Sequence, residues 1–585
     1  MGTGKPQHRE PELRARRPRR STPPIEAIAL LAALSPAFGP PTADAAIYYV
    51  GTGAGCTHAT IEAALLSAAL TPQTDWIHLT RTISYDNVHL TLTNWNPATI
   101  GGVNFEGGVD TCGGGLPSGR TTLTGTGSHP VLTVEATAGE ASSVFLAHLE
   151  LDGGTRGLDV SGDSFVDVFN SLVIGNGSGV RVTGGARVEL RESARIWSNS
   201  GGLFGAGVYC SGSGSEVEIR GVLLDNHATS AGGGLFATDS CQVEIGDGAQ
   251  ILYNSAPLGG GVYLQSSASM IGGGGGGFGA SITNNTAFDG GGGLYLNGPT
   301  TSGQLTNIAI DDNTAADFGA GIALVNGADL ELSRDPDAGD CVAPPRCVSV
   351  SGNTLTSGTD GSAVHVGQLA TLKLGQAFVE SNSGAGEAGF LFYAEGGSLI
   401  FLEGARLWNN HAVSLFEADN AADIQAAFVS AARNDYLVGG VPPRFDSRGG
   451  RAHDGARIDV LTSILVDQGP FETSGGGEVH GECLLLDTVA GLTTSTGAPM
   501  VGVDPRFRDP DNGDLSLGID SPAVDSCDAV AATPVYPDHD LDPRGTDLVA
   551  VADLFGPYDR GADEVVPLFA DGFESGNTST WSATS

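Results

Sequence analysis

Several side chains that could do chemistry stand close together at Asp152, Arg156, Asp159 and Asp163, with Asp167 shortly after them. Clustered carboxylates can hold Ca²⁺, and a cationic base beside them completes the chemistry of a polysaccharide lyase. Two carboxylates that flank a sugar bond can instead hydrolyse it. The pattern also fits alternate solvent-facing positions on strands, and that interpretation is the favoured one. If the cluster is nevertheless catalytic, the first four residues are the candidate catalytic residues, with Arg156 as the base.

A second acidic set recurs at intervals along the chain. Its members stand in similar alternating segments, at Glu189, Glu218, Glu244 and Glu331. If these segments stack in register, some of the carboxylates lie about 5–10 Å apart. They then either splay into water or hold a cation such as Ca²⁺ between them. The acidic loop that contains Asp509 and Asp511 is a further candidate Ca²⁺ site, and no other cofactor is indicated.

A repeat must position these side chains. Between about residues 170 and 435 an asparagine recurs, followed by a small residue, a short gap, two or three small residues and an apolar strand. The asparagines are Asn199, Asn226, Asn254, Asn285, Asn313, Asn353, Asn382 and Asn410. By subtraction, their successive gaps are 27, 28, 31, 28, 40, 29 and 28 residues. A period in this range predicts a stacked solenoid.

The strands indicate which solenoid forms. Each period holds a second segment in which apolar and charged residues alternate, such as Val217-Glu218-Ile219. This period of two predicts a strand with one buried face, whereas helical repeats need a period of 3.6. Short strands joined by tight Gly and Asn turns predict an all-β fold, a parallel β-helix of ten or so coils and about 50 Å. The repeated asparagines would form an amide ladder at a left-handed turn.

The ends of a β-helix expose strand edges and need a cover. Residues Thr60 to Leu70 form an amphipathic pattern, which predicts a capping helix with Thr60 as N-cap, ahead of first strands near 76–79. The predicted organisation is a signal peptide at 1–45, an N-terminal cap with the first coils at 46–110, and β-helix repeats at 111–440. The last coils and a C-terminal cap follow at 441–565, and a tail at 566–585.

The N-terminus and the cysteines indicate the compartment. Basic residues, a short apolar run from Ala27 to Leu34 and the small residues before Ala46 predict a secretory signal, and no later stretch predicts a transmembrane helix. We therefore expect a secreted or cell-surface protein. The eight cysteines suit an oxidising compartment, and proximity suggests the pairs Cys341–Cys347, Cys210–Cys241, Cys56–Cys112 and Cys483–Cys527. The formal net charge of −39 argues against nucleic acid as a partner.

The repeated phrase, Asn-Ser/Thr-Ala followed by Gly-Gly-Gly-Leu/Val/Ile-Tyr, resembles the repeat of the polymorphic outer-membrane protein family. The resemblance covers about half of the chain. It implies a right-handed parallel β-helix of the pectin-lyase type with an adhesin-like or surface-structural, non-catalytic role. Glycans or molecules on host or neighbouring cells would then be the partners. The alternative is a polysaccharide lyase or hydrolase that acts on acidic glycans.

The C-terminal part resembles the terminal segment of exported bacterial β-helix proteins described as choice-of-anchor Q. The matching phrases are Asp504-Pro505-Arg506-Phe507, Gly513-Asp514-Leu515, Ser521-Pro522-Ala523-Val524-Asp525, Asp542-Pro543-Arg544-Gly545 and Asp559-Arg560-Gly561-Ala562-Asp563-Glu564. Their order and spacing make this match more specific than that of the repeats. It implies an exported β-helix whose last coils are followed by this segment.

Overall fold

The fold was derived from a computed structural model. The structure describes residues 45–71, 73–95, 102–137, 139–274, 279–335, 347–384, 389–435, 447–527, 537–538, 542–548, 551 and 556–566. The predicted signal peptide, apart from Ala45, and the tail from 567 onward lie outside these residues, as does Cys341. The described part is a right-handed parallel β-helix, as the sequence predicts, built from three long sheets named A, B and C here.

Sheet A contains 17 strands in the described part of the chain: Ile47–Val50, Asp75–Thr80, Val103–Val109, Ser142–Ala147, Ser164–Phe169, Arg187–Leu190, Glu216–Ile219, Gln242–Ile245, Ser269–Gly273, Ser302–Thr306, Asp329–Ser333, Thr371–Gly375, Leu399–Glu403, Asp423–Ala427, Arg457–Leu461, Glu478–Glu482 and Thr494–Thr496. Sheet B contains 16: Tyr85–Val88, Thr121–Gly125, Leu149–Asp152, Leu172–Ile174, Arg195–Trp197, Val222–Leu224, Gln250–Leu252, Ala280–Thr283, Ile308–Asp311, Val348–Ser349, Ala377–Glu380, Arg406–Trp408, Ser430–Ala432, Ile464–Leu465, Leu485–Leu486 and Met500–Val501.

Sheet C contains 15 described strands: Leu90–Thr93, Leu132–Glu135, Leu158–Ser161, Val180–Thr183, Val208–Ser211, Leu235–Thr238, Val262–Gln265, Leu294–Asn297, Ile322–Val325, Val364–Gly367, Phe390–Glu395, Ser414–Asp419, Ser447–Ala452, Gln468–Gly469 and Glu472–Thr473. A short sheet D contains Ser255–Leu258, Thr286–Gly290, Thr314–Ala315 and Thr354–Leu355. Phe507–Asp509 pairs antiparallel with Asp514–Leu517 around a 3-10 helix at Pro510–Asn512, and Ser526–Cys527 pairs with Gly556–Pro557.

The alternating pattern places one face of every strand inside the helix. In sheet B, for example, Val173, Ile196, Leu223 and Ile251 occupy the same register position and are at most 1% exposed. Burying such a side chain contributes roughly 1.5–3 kcal/mol, and the column repeats in each sheet. The single core therefore runs through all coils, and the coils extend beyond the region where the asparagine phrase is recognisable. At about 4.8 Å per step, sheet B alone spans about 70 Å rather than the expected 50 Å.

The N-terminal end begins with a strand that the sequence analysis did not predict. Ile47–Val50 pairs in parallel with Asp75–Thr80, so the helix lies between two strands of sheet A rather than ahead of the first one. The helix itself spans Ile61–Ala68, and the Thr60 hydroxyl accepts a hydrogen bond from the Ala63 amide at 3.2 Å, as expected for an N-cap. Its buried residues join the main core.

The described residues of the C-terminal segment, 504–527, 537–538, 542–548, 551 and 556–566, pack along the outer face of sheet B and the adjoining turns. The Trp408 indole N–H donates to the Pro510 carbonyl at 2.8 Å, and the Gln376 amide donates to the Pro537 carbonyl at 2.7 Å. Apolar residues of the segment and of sheet B form a separate buried cluster. The sequence predicts the last coils and a C-terminal cap at 441–565, and the described contacts of this segment lie against sheet B and its turns.

Disulfides join neighbouring coils and tie down the C-terminal segment. The bridges Cys56–Cys112, Cys210–Cys241 and Cys483–Cys527 are present, with Cα–Cα separations of 4.7, 5.9 and 5.8 Å. Cys347 is also disulfide-bonded, and Cys341, its predicted partner, lies outside the described residues. Among the described residues, no helix is long and apolar enough to cross a membrane.

Candidate functional site

The asparagines form one continuous ladder between sheets B and C. At a typical step, the backbone N–H of Asn226 donates to Oδ1 of Asn254 at 2.9 Å, and the side-chain Nδ2 of Asn226 donates to the same oxygen at 3.0 Å. Nδ2 also donates to the Ile196 carbonyl at 2.9 Å. The ladder contains Asn176, Asn199, Asn226, Asn254, Asn285, Asn313, Asn353, Asn382, Asn410 and Asn434. All eight predicted asparagines lie in it.

Sequence reasoning missed the two end members of the ladder because their coils are short. Asn176 precedes Asn199 by 23 residues and Asn434 follows Asn410 by 24, outside the period of the other steps. The left-handed residue of the turn is the one before each asparagine, for example Asp225 with φ 55°. Because many residue types occupy the position before the asparagine, its left-handed conformation could not be predicted from the residue type.

The length of the loop after each asparagine decides what covers sheet C. In six successive coils this loop is seven to ten residues long, and we call these loops the roof: residues 200–207, 227–234, 255–261, 286–293, 314–321 and 354–363. Phe204, Ala231, Leu258 and Phe318 of the roof pack against aromatic residues on the outer face of sheet C. Roof residues contact each other from coil to coil, as Phe204, Ala231 and Leu258 do. In the preceding coil, only residues 177–179 separate Asn176 from sheet C, so the roof begins abruptly at residue 200.

Under the roof, aromatic rings from successive sheet C strands form a stack. Ring centroids are 5.6 Å apart for Tyr209 and Phe236, 5.3 Å for Phe236 and Tyr263, and 4.9 Å for Tyr263 and Tyr295, with interplanar angles of 6–8°. The last three rings are at most 7% exposed. Phe204 of the roof lies 4.8 Å from the ring of Phe236. We call Tyr209, Phe236, Tyr263 and Tyr295 the aromatic stack.

A pocket of about 420 Å³ opens where the roof begins. It is lined by Arg156, Ser178, Arg181, Thr183, Gly202, Leu203, Phe204, Tyr209 and Ser211. In register, Tyr209 lies between Phe236 on one side and Arg181 on the other, so the stack ends at this pocket. The apolar side chains Leu203 and Phe204 are 58% and 38% exposed at its edge. The pocket thus combines an aromatic floor, an apolar rim and polar walls.

The charged side chains that line the pocket are positive, whereas the chain as a whole has a negative net charge. Arg156 and Arg181 approach the same Asp159 oxygen, at 3.3 and 3.6 Å. Two guanidinium groups thus face one carboxylate, in a protein whose formal net charge is −39. Charge-assisted hydrogen bonds are usually 2.7–2.9 Å long, so neither arginine is tightly held by Asp159. Both side chains are about one-third exposed, with N–H groups available to a ligand.

The predicted catalytic cluster does not form one site. Asp152 lies in sheet B, Asp159 in sheet C and Asp167 in sheet A, and Asp163 is exposed in the turn between the last two strands. Consecutive strands of a β-helix coil belong to different faces, so residues close in sequence diverge in space. Asp167 accepts a hydrogen bond from Arg191 Nε at 2.7 Å, on a different face from Arg156. Of the set, Arg156 and Asp159 contribute to the pocket region.

The glutamate column is in register, and arginines lie against it. Glu189 lies opposite Glu218, which lies opposite Glu244. Arg187 is 2.9 Å from Glu189 and 3.1 Å from Glu218, and Arg220 Nε donates to Glu218 at 2.6 Å. Burial, followed by repulsion from Glu218, raises the pKa of Glu189 and of Glu244. These carboxylates are thus partly neutralised by side chains of the protein itself.

The remaining candidate Ca²⁺ ligands are dispersed. Glu331 follows Gln304 in its register column and precedes Lys373. Asp509 accepts a hydrogen bond from the Asn512 amide at 2.8 Å, and Asp511 forms an ion pair with an arginine of the sheet B edge at 2.5 Å. Within the described ranges, no group of three or more His, Cys, Asp and Glu side chains is placed to hold a metal ion.

Beyond the roofed coils, the same sheet C column becomes charged. Tyr393 is followed in register by Glu417 and then by Arg451. Glu417 is 5% exposed and lies 3.5 Å from Arg451 and 3.3 Å from His453. Burial outweighs attraction from Arg451 and raises the pKa of Glu417 to about 8. Arg451 also lies 3.4 Å from Glu472, which closes a paired network.

The sequence contained part of the signal for this face. The repeat phrase ends on Tyr209, Phe236, Tyr263 and Tyr295, which share one register column. The short loop after Asn176 could have indicated the pocket from the sequence, because the coil that carries Arg181 has no roof loop. No family model and no curated protein matches this chain.

Proposed function

We propose that this protein is exported and binds glycans, without cleaving them, through the pocket at the start of the roof. The observation that carries the proposal is the pocket itself, about 420 Å³ in size, with an aromatic floor and arginine, serine and threonine walls. Small-molecule sites of this size usually combine apolar surface with a few polar groups that fix orientation. Sugar rings present both an apolar face and hydroxyl groups to such a site.

Export and a surface location are supported by the disulfides. Bridges between coils persist in oxidising compartments and are rare in the cytosol. Three of them lie in the described part of the chain. The resemblance to polymorphic outer-membrane protein repeats and to choice-of-anchor Q segments points in the same direction. A long β-helix with a pocket on one face supports an adhesin-like or surface-structural role.

Binding is favoured over cleavage by where the carboxylates lie. Lyases and hydrolases need acidic groups gathered around one sugar bond. Here Asp159 is the only carboxylate among the catalytic candidates that contacts Arg156 within the described residues, and it lies between two arginines. The other three carboxylates of the initial set, Asp152, Asp163 and Asp167, lie on sheet B, in a turn and on sheet A.

The test is a binding screen of the full chain, with its disulfides formed, against neutral and acidic oligosaccharides. We expect at least one oligosaccharide to bind saturably by calorimetry, with no new reducing ends or unsaturated products. Ser178→Trp, which fills the pocket, should abolish binding. Asp163→Trp places the same indole at an exposed turn and should leave binding unchanged. Absence of binding across the panel, or product formation, would overturn the proposal.

Cell fractionation tests the export part separately. We expect the protein in the medium or on the outer surface, with its cysteines oxidised. A protein found only in the cytoplasm with free thiols would contradict this part and leave the binding result unaffected.

A further inference from the structure

The geometry points to a sugar ring that carries an anionic group as the ligand of the pocket, with the anion on Arg156 and Arg181 and the ring over Tyr209. This inference rests on the proposed function, because it names the class of glycan that the same pocket binds. It is a statement about recognition and includes no bond cleavage.

The first argument is charge. Arg156 and Arg181 both lie against a single oxygen of Asp159, at 3.3 and 3.6 Å, and each has further N–H groups. Arginine presents its donors as a planar fork that matches a carboxylate or a sulfate. A second anion in the pocket would balance the two guanidinium charges, and the ligand supplies it.

The second argument is the position of the ring. One face of Tyr209 stacks on Phe236 at 5.6 Å with an interplanar angle of 6°, whereas its neighbour on the other side is Arg181. The shortened loop at residues 177–179 leaves that side without a roof. Tyr209 is half-buried, and both Tyr209 and Arg181 line the pocket, which suits a sugar with an apolar face and an anionic substituent.

The third argument is the polar wall. Ser178, Thr183 and Ser211 line the same opening, and the Ser211 hydroxyl donates to Asp239 at 2.9 Å. Hydroxyls act both as donors and as acceptors, so they fit the hydroxyl groups of a sugar in either direction. Hydrogen bonds to charged groups are stronger than those between neutral groups. The arginines should therefore dominate affinity.

Carboxylate and sulfate share this chemistry, and the experiment separates them. Calorimetry of the full chain would compare a uronic acid trisaccharide, a sulfated trisaccharide of neutral sugars and the same trisaccharide without sulfate. We expect one or both anionic ligands to bind at least about tenfold more tightly than the neutral one, which is about 1.4 kcal/mol. Equal affinity for the three ligands would overturn this inference and leave the proposed function intact. No binding to any ligand would instead defeat the proposed function.

Variants test the role of each side chain. Arg181→Gln and Arg156→Gln should each weaken binding of the anionic ligand about tenfold or more and leave the neutral ligand unchanged. Arg195→Gln removes an exposed arginine from sheet B and serves as the matched control. Asp159→Asn should strengthen anion binding, because it removes the carboxylate that competes with the ligand. A weaker anion affinity in folded Asp159→Asn would contradict the assignment, since a purely structural role predicts loss in every variant.

Discussion

The two ends of the roofed face of sheet C use the same register column in opposite ways. At the N-terminal end, Arg181 precedes Tyr209, and two arginines share one carboxylate in an open pocket. At the C-terminal end, Glu417 follows Tyr393, and the buried carboxylate is paired with Arg451. The backbone supplies the same parallel strands at both ends. The loop after the asparagine is three residues long at both ends, at 177–179 and at 411–413, so charge balance, rather than the fold or the loop length, decides whether an end of this column is a site or a closed network.

The largest expected effect separates the interior of the aromatic stack from its end. Tyr263→Ala removes a ring with aromatic neighbours on both faces, and Tyr209→Ala removes one with a single ring neighbour in the stack. Large-to-small changes of buried aromatic residues cost about 3–5 kcal/mol, so we expect that loss of unfolding free energy for Tyr263→Ala. Tyr209→Ala should lower the unfolding free energy by only about 1–2 kcal/mol, because Tyr209 is half-buried and its removal takes less apolar area out of the core. Urea unfolding measures both, and equal losses would contradict the difference between end and interior.

The next effect concerns ligand affinity at the two ends. Tyr209→Ala should weaken glycan binding about tenfold, in line with the free energy of an aromatic contact of 0.5–1.5 kcal/mol beyond area burial. Tyr393→Ala at the other end should leave the affinity unchanged, and Tyr209→Phe should retain most of it. Titration calorimetry of the three variants distinguishes the ends. A larger loss in Tyr393→Ala would place the site at the C-terminal end.

A pH effect is expected at the C-terminal end. Burial raises the pKa of Glu417 from its ordinary value of 4.5 to about 8, despite the nearby Arg451. The folded protein therefore binds this proton more tightly than the unfolded chain, and the resulting stabilisation is complete below pH 4.5 and is lost as the pH rises through 8. Three further charged groups face the same carboxyl: Asp419 and Glu472 raise the pKa of Glu417, and Arg448 lowers it.

Melting curves between pH 5 and 9 measure this effect. Glu417→Gln cannot lose the proton, so its melting temperature should fall less across this range than that of the wild type. Asp163→Asn, at an exposed turn, should follow the wild-type profile. A Glu417→Gln profile that parallels the wild type would show that this carboxyl does not titrate in the folded protein as described.

The smallest effect is the salt dependence of binding at the open end. The arginines are about one-third exposed, so added salt should screen their attraction to an anion. The Debye length falls from about 10 Å at 0.1 M to about 3 Å at 1 M, and we expect affinity to fall several-fold over that range. Binding of the neutral trisaccharide should not change. An anion affinity that is insensitive to salt would argue against the guanidinium contacts.

The fold could be predicted from the sequence because its causes are local and repeated. Asn226 and its equivalents recur with a nearly constant gap, and segments such as Val217-Glu218-Ile219 alternate in polarity. The regular recurrence of asparagine predicts where each turn lies, and the alternation of apolar and polar residues predicts which face of each strand is buried. The coils outside this region carry a weaker signal, because their turns lack the full phrase, as at Asn176.

The candidate site could be predicted only in part. The sequence predicts a chemical role for Arg156 and Asp159, and in the structure Arg156 lines the pocket while Asp159 contacts Arg156. Asp152 and Asp167 were grouped with them because they are near in sequence, whereas one coil distributes such residues over three faces. Arg181 belongs to the next coil and meets Asp159 only through strand register. That pairing depends on coil length, which the sequence pattern does not define where the loop is shortened.

A crystal structure of the protein soaked with the anionic trisaccharide tests the central claim most directly. We predict density for a sugar ring against Tyr209, on the side away from Phe236, with the anionic group within hydrogen-bond distance of Arg181 or Arg156. A soak of Arg181→Gln at a ligand concentration near the wild-type Kd should show much weaker ligand density. Ligand density on another face of the β-helix, or at the Glu417 end, with an empty pocket in the wild type, would contradict the account.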